Sequence, residues 1–421
     1  MSYQDRWLLP AGITDSLPEE ATYLEKLRRR LIDVYATWGY ELVIPPLIEY
    51  LESLLVGTGQ ILELQTFKIT DQFTGRMMGI RADMTPQIAR IDAHRLRRDI
   101  PTRLCYLGTV LHTRPNPFAG SRSPFQVGAE LFGYQGVDSD IEILSLMLET
   151  LKITGITDFH IDIGHVEIYR CLVAQAQREI KPAQRHISKT VTSANSEAAK
   201  ADEEPFFNFE EQLFDAIKRK ADTEVKALLS KWNISRPLRQ MLSELPQLHG
   251  DAQVLQAARR LFNPAPRKIH TALDELEQLQ AQWQGMPLHF DLAELRGYSY
   301  HLGIIFAAYA PTHGRAVAKG GRYNIGKAFG CSRPATGFST NLRTLVALQP
   351  PIPATKPAAI LAPPPPTDAI LATTLATTIR QLREQGEVVI SGLSNQSGDA
   401  QALGCNRELR LTATGWQVTA L

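Results

Sequence analysis

Residues 103–112 and 124–133 read as two strands joined by a loop rich in Pro, Asn, Gly and Ser, and 64–70 and 76–81 repeat the pattern around a 71–75 turn. Consecutive strands joined this way pair antiparallel, whereas parallel strands need a long crossover. The chain therefore has to build an antiparallel sheet with helices gathered at its sides, an α+β arrangement and not a βαβ repeat.

The flanking segments extend this reading. Ser16-Leu17-Pro18-Glu19 reads as a capping box, and Leu24, Leu27, Leu31, Val34, Tyr35 and Trp38 then recur at helical spacing until Gly39. Residues 40–46 form a short strand that ends at Pro45-Pro46. Asp138 is expected to cap a helix whose apolar face carries Ile141, Leu144, Leu148 and Leu151, and 159–163 returns as a strand. From about 166 to 286 the pattern is helical, with Leu213, Ile217, Leu228 and Leu229 on one such stretch and a polar loop at 193–204. Strand-like residues resume at 288–292.

The stretch 349–357 holds four prolines and reads as a stiff linker. Beyond it come a strand (358–362), a helix (368–385), a strand (387–391) and a final pair around Gly415. The expected organisation is a main domain over 1–348, the linker, and a small α/β C-terminal domain over 358–421.

Bulk properties exclude several classes. Hydrophobic residues make up 44% and charged residues 21% of 421, which describes a globular protein and not a disordered one. A net charge of +1 gives no global attraction to nucleic acid or an anionic membrane. Cys105, Cys171, Cys331 and Cys405 lie far apart without a Cys-x-x-Cys pair, so reduced thiols are expected, with neither a zinc site nor a disulfide framework. The N-terminus opens no apolar signal stretch and no run of ~18 apolar residues occurs, so the expected compartment is the cytoplasm.

Two glycine-punctuated segments carry the functional signal: Arg296-Gly297-Tyr298-Ser299-Tyr300-His301-Leu302-Gly303 and Gly320-Gly321-Arg322-Tyr323-Asn324. The pair resembles the histidine-specific signature of histidyl-tRNA synthetases, and a site for free histidine needs a carboxylate for the ammonium, a cation for the carboxylate and polar partners for both ring nitrogens. Arg296 offers the cation. Asp83 and Thr85 lie two apart and share a side if the backbone is extended; a turn or cap is the alternative for Asp-x-Thr. Gln126, Gly128 and Glu130 share a strand face, with the glycine leaving a hollow between the polar pair; a solvated face is the alternative there.

From Leu9-Pro10-Ala11-Gly12 to about Leu345 the chain resembles the catalytic domain of histidyl-tRNA synthetases, of the class II aminoacyl-tRNA synthetase family. It is closer still to their non-catalysing relative, the regulatory subunit of ATP phosphoribosyltransferase. The segments that carry the likeness are Tyr40-Glu-Leu-Val-Ile-Pro-Pro-Leu, Gly57-Thr-Gly, Leu64-Gln-Thr-Phe-Lys and Arg81-Ala-Asp-Met-Thr-Pro-Gln, with Phe125-Gln-Val-Gly-Ala-Glu-Leu-Phe-Gly and Arg333-Pro-Ala-Thr-Gly-Phe-Ser-Thr-Asn-Leu.

The resemblance implies a class II synthetase-like antiparallel sheet, a dimer interface at the first helix and strand, and a histidine site. Asp83, Thr85, Gln126, Glu130, Arg296 and Tyr300 are its expected residues, with His301 as an accessory where synthetases have a second tyrosine. It also implies departures from synthetase chemistry. His112 stands where the motif 2 arginine would be, and Thr344 fills the motif 3 arginine slot, with Arg343 one step early. One helical step is a rotation of about 100°. Past the linker, Arg380, Arg383, Arg407 and Arg410 are met by Asp368, Glu384, Glu387, Asp399 and Glu408, which argues against tRNA binding.

The implied role is non-catalytic, without cofactor or metal. The chain would associate as a dimer and pair with a short-form catalytic subunit in a hetero-octamer of four subunits of each kind. That partnership would support the first step of histidine biosynthesis and carry feedback by free histidine. The alternatives are an active histidyl-tRNA synthetase with divergent motifs, a tRNA-sensing module, and a scaffold with a vestigial pocket.

Overall fold

The computed structural model describes residues 7–56, 60–114, 121–188, 204–283, 286–298, 300–311, 313–324, 330, 333–349, 358–393 and 400–421. Gly57-Thr58-Gly59, Cys331 and residues 193–203 and 350–357 lie outside that set. The chain divides into two compact units, Met1–Pro350 and Pro351–Leu421.

In the first unit the strands are β1 (Glu41–Leu42), β2 (Ile48–Tyr50), β3 (Phe67–Thr70), β4 (Met77–Ile80), β5 (Thr102–Thr109) and β6 (Phe125–Phe132). They continue with β7 (His160–His165), β8 (His249–Gly250), β9 (Leu288–Asp291), β10 (His301–Tyr309), β11 (Ala316–Tyr323) and β12 (Ala335–Asn341). Nine of them form one sheet in the order β1-β5-β6-β12-β11-β10-β7-β9-β8. Its centre, from β5 through β7, is antiparallel throughout, as hairpin connections require. β2, β4 and β3 make a separate three-stranded sheet.

The helices of this unit are α1 (Pro18–Thr37), α2 (Leu51–Leu55), α3 (Gln60–Gln65), α4 (Thr85–Arg90), α5 (Val137–Ile153) and α6 (Val166–Ser188). The series goes on with α7 (Glu204–Lys218), α8 (Asp222–Ser230), α9 (Arg236–Glu244), α10 (Gln253–Leu261), α11 (Arg267–Gln282) and α12 (Leu342–Ala347). The expected helical stretch at 166–286 is present, interrupted by the two-residue β8. Leu213 and Ile217 lie on α7 and Leu228 and Leu229 on α8, all buried, with Lys220 in left-handed backbone (φ 54) at the break.

Several local expectations are corrected. α1 starts at Pro18 with Leu17 as its cap residue, and the buried Ser16 hydroxyl has no partner, so no capping box forms. Proline at the first helical position supplies the start instead, since its missing N–H would have been unpaired there anyway. α5 is preceded by Gly136, not capped by Asp138; the Asp138 carboxylate accepts from the Tyr134 hydroxyl at 2.7 Å. Its buried residues include Ile143, Leu144, Leu146, Met147 and Leu151, while Ile141 and Leu148 are only partly buried, because α5 is packed on two sides. The strand expected over 40–46 shrinks to β1, and residues 64–65 end α3. At the end of α1, Gly39 (φ 79) takes the left-handed position, and the Tyr40 N–H closes on the Tyr35 carbonyl at 3.0 Å.

The second unit holds β13 (Ala359–Ala362), α13 (Ala369–Glu384), β14 (Val388–Ser391), β15 (Cys405–Thr412) and β16 (Gly415–Ala420), in sheet order β14-β13-β15-β16. Asp368 caps α13 by accepting from Ile370 and Leu371 N–H. One face of the sheet buries Ile360, Val389 and Leu409 against Leu375 and Ile379.

In the first unit, the large sheet packs one face against α1, α5, α6 and α11. Among the apolar side chains on that side runs an ionic cluster. Arg322 of β11 is paired with Asp140 of α5, which is fully buried, and with Glu275 of α11 at 3.0 Å. Glu275 also accepts from His165 of β7 at 3.2 Å, and Asp140 accepts from the Thr336 hydroxyl at 3.0 Å. Removing one member strands a buried charge, which typically costs more than the pair contributes. Asp140→Ala is therefore expected to lower stability by about 3–5 kcal/mol in urea unfolding. Replacing both partners with apolar groups (Asp140→Leu with Arg322→Met) should recover a good part of that loss.

Candidate functional site

The opposite face of the sheet floors a cavity of about 640 Å³. Strand register explains its composition. Glu130 of β6 lies opposite Gly337 of β12, Gly337 opposite Gly321 of β11, and Gly321 opposite Ile305 of β10. Two glycines side by side expose backbone where other rows carry side chains. The approach is close: a Cβ on Gly337 would fall 1.5 Å from Glu130 Oε2.

Of the seven residues singled out from sequence, Asp83, Thr85, Glu130, Arg296, Tyr300 and His301 line this cavity. Gln126 stands behind them. Its amide Nε2 donates to Asp83 Oδ1 at 2.8 Å, and its Oε1 accepts from Met84 N–H at 2.9 Å. The backbone at Asp83–Thr85 is not extended: Met84 is helical and Thr85 opens α4, with its N–H donating to Asp83 Oδ1 at 3.0 Å. Asp83 is thus a capping residue that also faces the cavity, because Pro86 and Gln87 continue as a helix.

Glu130 is 1% exposed and is the centre of a hydroxyl cluster. Its Oε1 accepts from Tyr106 at 3.0 Å and from Thr85 at 3.2 Å, and its Oε2 accepts from Tyr323 at 2.8 Å. Burial pushes the Glu130 carboxyl up to about 8, against the pull of these donors and with help from the nearby Asp83 charge. Tyr106 and Tyr323 are raised well above the ordinary phenol range, chiefly by burial and then by the Glu130 charge. The hollow expected at Gly128 is filled: a Cβ there would lie 2.4 Å from the Tyr106 hydroxyl. The cross-strand neighbour that fills it, opposite Gly128 in register, was not identifiable from the Gln126–Glu130 segment alone.

Arg296, the cation nominated from sequence, is held in place by neighbouring groups. Its guanidinium pairs with Glu294 at 2.8 Å, donates to the Tyr309 hydroxyl, and lies over the Tyr309 ring with 5.4 Å to the centroid. His301 is held in one tautomer. Its Nδ1–H donates to the Arg322 carbonyl at 3.1 Å, which leaves Nε2 as a lone-pair acceptor. Burial lowers its pKa to about 4, so the ring is neutral at physiological pH. Tyr300 tilts over it at 4.3 Å between ring centroids and is 40% exposed. Gly297 (φ 63) allows that turn, since a Cβ would meet both rings.

Sequence reasoning missed Tyr323 and Lys319 as cavity-lining groups and Tyr106 as the buried partner of Glu130. Tyr323 sat in a quoted motif, whereas Tyr106 gave only strand alternation as a clue. His112 donates through Nε2 to the Ala82 carbonyl at 3.0 Å, and Arg343 donates to the Thr14 carbonyl at 3.2 Å. The Thr344 hydroxyl accepts from Asn341 at 2.8 Å. Among the described residues no group of His, Cys, Asp or Glu is arranged to hold a metal. Cys105, Cys171 and Cys405 are free thiols.

A sheet of this order, with a cavity on one face into which Asp83, Glu130, Arg296 and His301 are brought, defines a histidyl-tRNA synthetase-like fold of class II type. The model of the family described as histidyl-tRNA synthetase matches residues 12–201 and 204–345. A crystal structure of an ATP phosphoribosyltransferase regulatory subunit/histidyl-tRNA synthetase from Bacillus halodurans superposes with a TM-score of 0.74 at 26% identity, covering 94% of this chain and 96% of that one. A histidyl-tRNA synthetase from Nostoc shares the fold at a TM-score of 0.70 and 18% identity, covering 98% and 97%.

The relatives narrow this further. The ATP phosphoribosyltransferase regulatory subunit of Thioalkalivibrio sulfidiphilus is 51% identical over 100% of both chains. That of Alkalilimnicola ehrlichii is 48% identical over 99% of this chain and 98% of its own. The model described as the ATP phosphoribosyltransferase subunit HisZ C-terminal domain matches residues 357–419. The chain belongs to the family of ATP phosphoribosyltransferase regulatory subunits.

The raised Glu130 pKa has a defined sign. Between the ordinary carboxylate value and about 8, the folded chain keeps a proton that the unfolded chain has lost, so Glu130 costs stability increasingly as pH rises through that window. Glu130→Gln is expected to raise the unfolding midpoint at pH 8.5 more than at pH 5.5, as read by thermal scans at both values.

Proposed function

We propose that this chain is a non-catalytic partner of a short ATP phosphoribosyltransferase catalytic subunit, and that it reads free histidine through the cavity beside Glu130. The observation that carries the reading is the convergence of Asp83, Glu130 and His301 on one cavity, in a chain 51% identical to a regulatory subunit. Asp83 meets the ligand's ammonium. Glu130 with its hydroxyls, Tyr300, and the His301 Nε2 lone pair meet the imidazole. Arg296 is a fixed positive wall.

The groups at the synthetase motif positions are otherwise engaged, which supports a chain that does not adenylate: His112 is tied to Ala82 and Arg343 to Thr14. A regulatory role without tRNA is supported by the second unit, where Arg407 pairs with Glu387 and Arg410 with Glu408. Self-association through the first helix and β1 is supported by exposed apolar residues at the end of β1 and just after it, Leu42 at 39%, Ile44 at 81% and Leu47 at 43%. By analogy the assembly is a hetero-octamer with four subunits of each kind, working in the cytoplasm. No helix among the described residues is long and apolar enough to cross a membrane.

Histidine must favour one arrangement of the assembly; a coupling of ~1–3 kcal/mol gives roughly 5–150-fold control. Mixing the chain with a short catalytic subunit is expected to raise phosphoribosyl-ATP formation, and histidine to suppress it. Asp83→Asn should shift the histidine needed for inhibition upward by about tenfold, since it removes a charged hydrogen-bond acceptor, while activation persists. Histidine-dependent exchange of pyrophosphate into ATP by the chain alone would instead establish the synthetase reading.

A further inference from the structure

The charges around the cavity do not balance as the motif suggests. Arg296, the guanidinium expected to meet a ligand carboxylate, is already paired with Glu294 at 2.8 Å and engaged by Tyr309. Lys218, at the end of α7, sits with its ammonium 5.9 Å from the centroid of the Phe214 ring. Lys319 also lines the cavity, and among the described residues it forms no ion pair. Its charge is felt in the cavity, being one of the influences that keep His301 neutral, after burial.

Register gives Lys319 a defined station. It lies opposite Ser339 of β12 and Ala307 of β10, one row before the Gly321–Gly337–Glu130 row on the same face. Adjacent same-face rows on a strand are ~7 Å apart, the span of a single amino acid. Between Lys319 and Glu130 the floor includes the bare backbone of Gly321 and Gly337, with Ser339 beside it.

We propose that Lys319, with the Ser339 hydroxyl beside it, is the carboxylate anchor of the amino-acid site, and that Arg296 is a structural cation held by Glu294. This rests on the reading of the cavity as a free-histidine site. It makes Lys319 the residue that separates the amino acid from the corresponding amine.

The test is calorimetry on the full chain with L-histidine and with histamine, which keeps the ammonium and imidazole but lacks the carboxylate. Wild-type protein is expected to prefer histidine. Lys319→Met should weaken histidine by about tenfold, the scale of one charged hydrogen bond at a partly exposed site. Histamine should bind as before or tighter, because a like charge has gone, and Lys319→Arg should restore the preference. An undiminished preference for histidine in Lys319→Met, with selective loss of histidine in Arg296→Ala, overturns the assignment and leaves the histidine site standing. Failure of the wild-type chain to bind histidine at all overturns both.

Discussion

The cluster of Arg322 with Asp140 and Glu275 ties together the two faces of the central sheet. A buried guanidinium demands carboxylates close by, and these come from α5 and α11, with His165 of β7 completing the set. The same residue's carbonyl accepts from His301 Nδ1. One residue therefore locks the helical layer to the sheet and determines which nitrogen of His301 carries the proton. The adjacent Gly321 gives the floor its bare backbone, so the Gly-Gly-Arg-Tyr run serves packing and pocket at once.

Glu130 is the counterpart on the open face. In water a carboxyl at neutral pH is ionised, but enclosure by Tyr106, Tyr323 and strand backbone shifts the balance toward the neutral acid. Three hydroxyls at 2.8–3.2 Å limit the penalty and hold the group in one orientation. Small backbone is what permits this geometry: Gly337 yields to the carboxylate and Gly128 to the Tyr106 ring. The result is a rigid polar corner next to a neutral imidazole that can only accept through Nε2.

Much of the architecture was readable before any coordinates. The hairpin strands at 102–109 and 125–132, the first helix with its Gly39 stop, and the helix–strand order of the C-terminal unit follow from periodicities set within a few residues. Errors fell where more than one neighbour competes for the same residue. Ser16 looked like a cap because of Glu19, but Pro18 begins the helix. Asp138 looked like a cap because it precedes an apolar run, yet it serves Tyr134. Leu148 was assigned to the inner face, while Met147 lies there, because two different neighbours pack on α5.

At the cavity the division is similar. Asp83, Thr85, Gln126, Glu130, Arg296, Tyr300 and His301 were nominated by the resemblance to histidyl-tRNA synthetases together with the chemical groups that free-amino-acid recognition needs. What each of them does depends on neighbours that the fold brings close, some nearby in the chain and some, such as Tyr323 for Glu130, nearly two hundred residues away. Burial turns Glu130 into a largely neutral acid against the pull of the Tyr323 hydroxyl, Glu294 and Tyr309 occupy Arg296, and Lys319 is brought opposite Ser339. Charge state and hydrogen-bond direction are set by what lies within a few ångströms, and only the folded chain decides that; the order of helices and strands is local, and the sequence carries it unaided.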